Sequence, residues 1–203
     1  MTSTPLLLTL CGVGEGGSWP WATRSEAGRA VVGAALFELA LTRRLELSDD
    51  RVVPCGGGAT DDVVQAQVLR RVGGSARARA PWEWVERLGP DVLRHVEWEC
   101  AGAAALGALG EWVGEARARV RRAAERPDVS DTPALAVAVL LIAARRGHLV
   151  RPTVPPEVMV RQAADAVALL ERRTPHSGHA LRCASAAVRC SIAASAAALA
   201  FPG

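Results

Sequence analysis

The chain reads as a mainly α protein, a single globular domain over residues 1–203 with about seven to eight helices and a small β-hairpin after the first long helix. Apolar residues recur at helical spacing through most segments. One stretch, Leu36 to Pro54, changes its period partway along, and prolines at 127, 133, 152, 155, 156 and 175 punctuate the later runs. A length of 203 residues, half of them hydrophobic, is enough to bury a substantial core.

An apolar run, Leu6 to Leu10, leads into the glycine-rich segment Gly12 to Gly17. Val32, Ala35, Leu36, Leu39 and Ala40 then share one face of a helix, whereas Leu45, Leu47, Val52 and Val53 form two short extended runs around Ser48-Asp49-Asp50-Arg51, the pattern of a hairpin. After a flexible connection, Pro54 to Ala59, Thr60-Asp61 supplies capping side chains for a helix through Val63, Val64, Val68 and Leu69 that Gly73-Gly74 ends. A short basic linker, Ser75 to Ala80, precedes Pro81, which opens another helix at the favoured first position. Gly89-Pro90 is expected to break it before a separate helix from Asp91 to about Ala103. Further helices are predicted over Glu111 to Glu125, Pro133 to Arg146 with Asp131 or Thr132 as cap, Pro156 to Arg173, and Gly178 to Ala200 as a buried closing helix.

The 24 basic residues against 21 acidic ones leave a net charge of +3, too small by itself to single out a polyanionic partner. Every basic residue is Arg, which together with abundant Ala, Gly and Val reads as the codon usage of a GC-rich genome. The functional alternative is selection of Arg for bidentate phosphate contacts. Five cysteines with no Cys-x-x-Cys pair indicate neither a disulfide framework nor a zinc site, and a cytoplasmic location is expected. Cys183 and Cys190, seven apart, read as buried free thiols. The N-terminal run lacks the features of a signal peptide. The apolar tract Cys183 to Phe201 is mostly Ala and Ser and carries Arg189, unlike a membrane span.

Several motif lookalikes fail on context. Gly12-Val-Gly14-Glu-Gly-Gly17 fits a dinucleotide-binding pattern, but Ser18-Trp-Pro-Trp21 follows it in place of a helix and no βαβ alternation appears. His95-Val-Glu97 lacks the cysteine half of a zinc deaminase signature. His176 and His179 could clasp a metal from a loop, yet no third ligand is suggested. Neither nucleophilic catalysis nor a cofactor is expected. Trp19 and Trp21 bracket Pro20, with Arg24 and Arg29 close behind; an amphipathic ring beside cations suits an anionic lipid headgroup, while the residues by themselves favour rings that cap the core beside the first helix. Trp82, Trp84, Trp98 and Trp112 lie in helical patterns and read as packing residues.

The order of apolar segment, glycine-rich turn with Trp21, Val32 to Leu41, Arg44-Leu-Glu-Leu47, the Arg51-Val-Val hairpin and the Thr60-Asp61-Asp62-Val-Val helix resembles the Golgi phosphoprotein 3 family in its short bacterial form. Glu38-Leu-Ala-Leu41 with Arg44-Leu-Glu-Leu47 is the most specific part. Trp84-Val-Glu86, Asp91 to Leu106 and Ala134 to Ile142 extend the likeness to nearly the whole chain. The resemblance implies a helical, non-enzymatic, peripheral membrane protein that binds phosphatidylinositol 4-phosphate or another anionic phospholipid. It also implies a sorting adaptor for cytoplasmic tails of membrane proteins, able to form homo-oligomers. Trp21 matches the family's headgroup-contacting tryptophan. The family's three pocket arginines fall near Val32, Pro90 and Leu93, so Arg24, Arg29 and Arg94 are the cations expected to serve here. The segment between Ala103 and Glu115 is shorter than the family's hairpin.

Two alternatives accompany this reading. A helix followed by a hairpin also describes a winged-helix DNA-binding regulator, with Arg43, Arg44 and Arg51 on phosphates, although Val31, Ala34, Ala35 and Phe37 are poor base readers and nucleic acid is not the expected partner. The other is an adaptor that binds protein alone.

Overall fold

The computed structural model describes residues 3–13, 19–20, 24–56, 60–105 and 107–200. Trp21, most of the glycine-rich turn and part of the Pro54 to Ala59 connection lie outside them. Among the described residues the chain forms eight helices: α1 (Thr4–Gly12), α2 (Arg24–Leu41), α3 (Val63–Gly73), α4 (Pro81–Ala105), α5 (Leu109–Glu125), α6 (Thr132–Ala143), α7 (Pro156–Arg173) and α8 (Pro175–Ala200). The hairpin, β1 (Leu45–Leu47) with β2 (Val52–Pro54), follows the first long helix as predicted.

Helices α2 and α6 are central. From Ala27 to Phe37 every residue of α2 is buried, as is every residue of α6 from Ala134 to Leu141. A helix apolar around its whole circumference can only be surrounded by other elements. Helix α2 is packed by α1, α4, α6 and α8. The apolar run at the N-terminus is helical, capped by Ser3, and Glu38 of α2 accepts the Thr4 backbone N–H at 2.7 Å. Glu38 heads the most family-specific segment of the sequence, and here it anchors the start of α1.

Helix α2 stops because Arg43 enters the left-handed region (φ 54°), letting Arg44 N–H reach Leu39 O at 2.9 Å. The chain turns directly into β1. Leu45 and Leu47 point into the core while Glu46 faces out, and the pairing Leu45–Pro54, Glu46–Val53, Leu47–Val52 keeps Val52 on the same buried side. Asp131 caps α6 and receives both a 2.8 Å and a 2.7 Å bond from Arg119 of α5.

Three predicted boundaries change. The cap of α3 is Asp62, which accepts the Gln65 N–H at 2.8 Å, rather than Thr60 or Asp61. His176 and His179 lie in the first turns of α8, not in a loop. Gly89-Pro90 does not break the chain: α4 runs unbroken from Pro81 to Ala105. Proline inside a helix loses one hydrogen bond and crowds the preceding turn, but packing can outweigh that. Here Gly89 is pressed against Gly28 of α2 so closely that a Cβ on Gly28 would lie 2.7 Å from the Gly89 carbonyl carbon and overlap its oxygen.

No helix among the described residues is long and apolar enough to cross a membrane. The closing helix buries one face, from Gly178 to Ile192, and presents Arg189, Cys190, Ala193 and Ala194 to solvent. Cys183 is buried as expected, whereas Cys190 is exposed because it lies on the outward face of α8 with Arg189 and Ala193.

Candidate functional site

Three of the four residues expected to contact a headgroup are described, and each is held by its own carboxylate on α4. Arg24, at the start of α2, bonds Glu97 at 2.9 and 2.6 Å; Glu97 also accepts the Trp19 backbone N–H at 2.9 Å. Arg29, one turn further on, is buried and forms a bidentate pair with Glu86, Nε to Oε2 and Nη2 to Oε1, both 2.9 Å. Its remaining bonds go to Ser25 at 2.6 Å, Ser191 at 2.9 Å and Ser195 at 2.5 Å. Ser191 in turn donates to Glu86. Three helices are tied through one guanidinium, and the hydrogen bond from Arg29 holds the Glu86 carboxyl below the usual carboxylate range. Arg94 is different: it bonds Asp91 at 2.5 Å but its side chain remains 70% exposed.

Asp91 leads to a cluster of cations. Between the end of α3, the 74–80 connection and the first half of α4 lies an open cleft of about 740 Å³, lined by Arg70, Arg71, Arg79 and Arg87 around Trp84, with Asp91 at one edge. The fold assembles it simply. Arg70 and Arg71 sit in the last turn of α3, where cations suit the helix dipole. The connection is held to the hairpin by Val52 N–H to Arg79 O at 2.9 Å, and Trp84 and Arg87 lie on one side of α4. Arg79 is paired with Glu83 at 3.2 Å and stands 5.9 Å over the Trp84 ring; Arg71 reaches Asp91 at 4.0 Å. Arg70 and Arg87 have no carboxylate partner among the described residues.

A family model described as Golgi phosphoprotein 3 (GPP34) matches residues 6–194. The chain belongs to the Golgi phosphoprotein 3 family. No curated protein matches it. Where that family's pocket arginines are expected, this member carries Val32 and Leu93, both inside the core, and Pro90 on the surface. Between Ala103 and Glu115, where the resemblance leads one to expect a shorter segment than the family's hairpin, the described residues turn at Gly107. Gly107 is left-handed there (φ 73°), and Ala108 N–H reaches Ala103 O at 3.1 Å.

The other lookalikes resolve into structure in this Golgi phosphoprotein 3 member. Gly12 sits under the ring of the buried Trp19, where any Cβ would overlap it, so its small size serves packing. Asp49, His179 and Cys183 do meet, in what resembles a nucleophile, base and acid. Yet the thiol donates to Asp49 at 3.3 Å, and burial pushes its pKa up to about 12, so it is held as a protonated donor. Arg182 donates to His179 Nδ1 at 2.9 Å; an arginine cannot accept, so the ring proton sits on Nε2 and goes to Leu47 O at 3.1 Å. His176 Nε2 faces Ala40 O at 2.8 Å. The cluster straps α8 to the hairpin. The hairpin is thereby not a free wing, and α2, buried on all sides, has no face to lay in a DNA groove.

The tryptophans divide differently from expectation. Trp84 is buried, but Trp82, Trp112 and above all Trp98, 79% exposed, are on the surface. Helical periodicity marks them as sharing a helix and does not say whether anything covers that face. The four arginines of the cleft do not form a group in the sequence; their one local signal is the basic linker that follows Arg70-Arg71.

Proposed function

We propose that this chain is a non-catalytic peripheral protein that associates with anionic phospholipid at the cytoplasmic face of a membrane, where it acts as an adaptor for membrane-protein tails. One observation supports this above the rest: Arg87, Asp91, Arg94 and Trp98 fall at i, i+4, i+7 and i+11, so two cations and an exposed indole lie along one stripe of α4. The stripe is about 16 Å long at 1.5 Å per residue. Tryptophan favours the boundary between lipid headgroups and acyl chains, while guanidiniums favour the anionic layer just outside it. Each cation near such a surface contributes about 1 kcal/mol, so affinity is weak and falls with salt. In this reading Arg94 belongs to the contact, Arg24 flanks it, and Arg29 steadies the helices behind.

Co-sedimentation with vesicles provides the test. Pelleting is expected on phosphatidylserine-containing vesicles and not on pure phosphatidylcholine, with brominated lipids quenching tryptophan fluorescence. Trp98→Ser should weaken partitioning about fivefold, the equivalent of ~1 kcal/mol of lost interfacial burial. Equal pelleting on both vesicle types, unaffected by Trp98→Ser, would overturn the reading. Trp21→Ala/Arg24→Ala, run alongside, reports how far the contact extends toward the start of α2.

A further inference from the structure

Between α6, α7 and α8 we infer a binding site for an aliphatic monocarboxylate. It is an apolar groove of about 380 Å³, within the range of small-ligand sites, and it shares no residue with the cation cleft beside α3.

The groove exists because α7 carries more apolar surface than its neighbours cover. Met159, Ala166 and Leu170 are its buried residues. Beside them Val160, Ala164 and Val167, at i, i+4 and i+7, form a second apolar stripe, with Val160 58% exposed and Ala164 exposed as well. A surface helix ordinarily turns polar residues outward there. The small side chains of Ala164 and Ala168 on α7 and Ser185 on α8 keep both walls thin, so the gap reaches down to α6. Ile142 of α6 lines it, and Ile142 is the one residue from Ala134 to Ala144 that is not buried. The groove therefore opens a central helix to the outside. A contiguous apolar recess of this kind marks a binding site, as singly scattered surface Val or Ala residues do not.

The charged groups along the groove select its occupant. Arg182 and Glu171 are bonded to each other at 3.2 Å, and Arg182 also donates to Asp49 at 3.0 Å and to His179 at 2.9 Å, so that pair is already satisfied. Arg189 lies two turns further along α8, about 10 Å away at 1.5 Å per residue, and has no partner among the described residues. Apolar walls beside a single free guanidinium are complementary to a molecule with an apolar body and one singly charged end. One guanidinium fork matches the two oxygens of a carboxylate, whereas a phosphate dianion would leave charge unmatched. Apart from the charged groups the lining side chains are Val, Ile, Ala and Ser, so no ring there stacks on an aromatic ligand. The ligand class is therefore a free aliphatic carboxylic acid in its anionic form.

Titration calorimetry of the full chain with hexanoate, octanoate and decanoate tests the site. Saturable binding is expected, tightening about fourfold for each added CH₂ until the groove is filled. Arg189→Gln should weaken octanoate about fivefold, the reach of an exposed ion pair, and leave the binding of octanol unchanged. Ala164→Phe, which fills the groove from an exposed position, should abolish binding of both compounds. Val160→Asp, also at an exposed position, should weaken both by placing a charge on the apolar wall. Circular dichroism checks that each variant is folded. Trp98→Ser should not change octanoate binding, which separates failure here from failure of the membrane contact. Absence of saturable binding, binding that does not grow with chain length, or binding indifferent to Ala164→Phe and Val160→Asp overturns the site. So does a dimer in sedimentation equilibrium that Val160→Asp dissociates, since a second copy would then cover the groove.

Discussion

Gly28→Val is expected to lower the melting temperature by about 6–12 °C, the shift that ~3 kcal/mol produces in a domain of roughly this size. Helices α2 and α4 cross with Gly28 against the backbone of Gly89, where a Cβ would overlap the carbonyl oxygen and lie 2.7 Å from the carbonyl carbon. Backbone cannot rotate away as a side-chain tip can, so the two helices must separate along their shared core. Gly89→Ala should be milder, because a Cβ there would meet its nearest atoms at 3.2 Å. Gly102, on the same helix with open space around its Cβ position, provides the opposite control: Gly102→Ala should stabilise by about 0.5–1 kcal/mol through the reduced freedom of the unfolded chain. Thermal denaturation followed by circular dichroism reads all three. An unchanged melting temperature for Gly28→Val would remove the explanation given for the unbroken course of α4 past Pro90.

Arg29→Ala is expected to cost about 2–3 kcal/mol. Breaking a fully buried ion pair by removing one partner costs about 3–5 kcal/mol, and Glu86 keeps 40% of its side chain exposed, so water compensates part of the loss. Ser191 and Ser195 lose the same partner, which loosens α8 from α2. The double variant Arg29→Met/Glu86→Gln should recover part of the stability, since no charge is left unmatched. The sign of the pH effect follows from Glu86. Its carboxyl is held below the ordinary range, so the stabilisation is complete above the unfolded value near pH 4.3 and is lost as pH falls through the lower folded value. The difference in melting temperature between wild type and Glu86→Gln should therefore shrink as pH drops below about 4. A constant difference across that range would show that the pair does not carry the effect.

The location of most elements was legible in the sequence because a repeating apolar face and a proline or glycine at its end are local properties. Helix α7 was predicted to the residue, and the hairpin was placed by the change of period after Leu41. Gly89-Pro90 misled because a proline's local cost is visible in the sequence while the glycine-to-glycine crossing that outweighs it is not. Trp98 differs: it repeats with Arg87, Asp91 and Arg94 on the outward stripe of α4, and its bulk and apolarity alone suggest packing. The candidate site was legible only in part. Arg94 stands out from its sequence neighbourhood, whereas Arg70, Arg71, Arg79 and Arg87 come from two helices and a connection that converge through packing.

By itself, then, the sequence determined the helical class, the hairpin and the family, since these rest on side-chain periods and short motifs that the backbone carries wherever the chain goes. The tertiary structure alone decided which arginines are free to meet an anion. Arg24 and Arg29 are neutralised by Glu97 and Glu86, 73 and 57 residues away, and Arg70 and Arg87 have no carboxylate partner among the described residues. Whether a charge is available depends on its distance to the opposite charge in space, and separation along the chain does not report that distance.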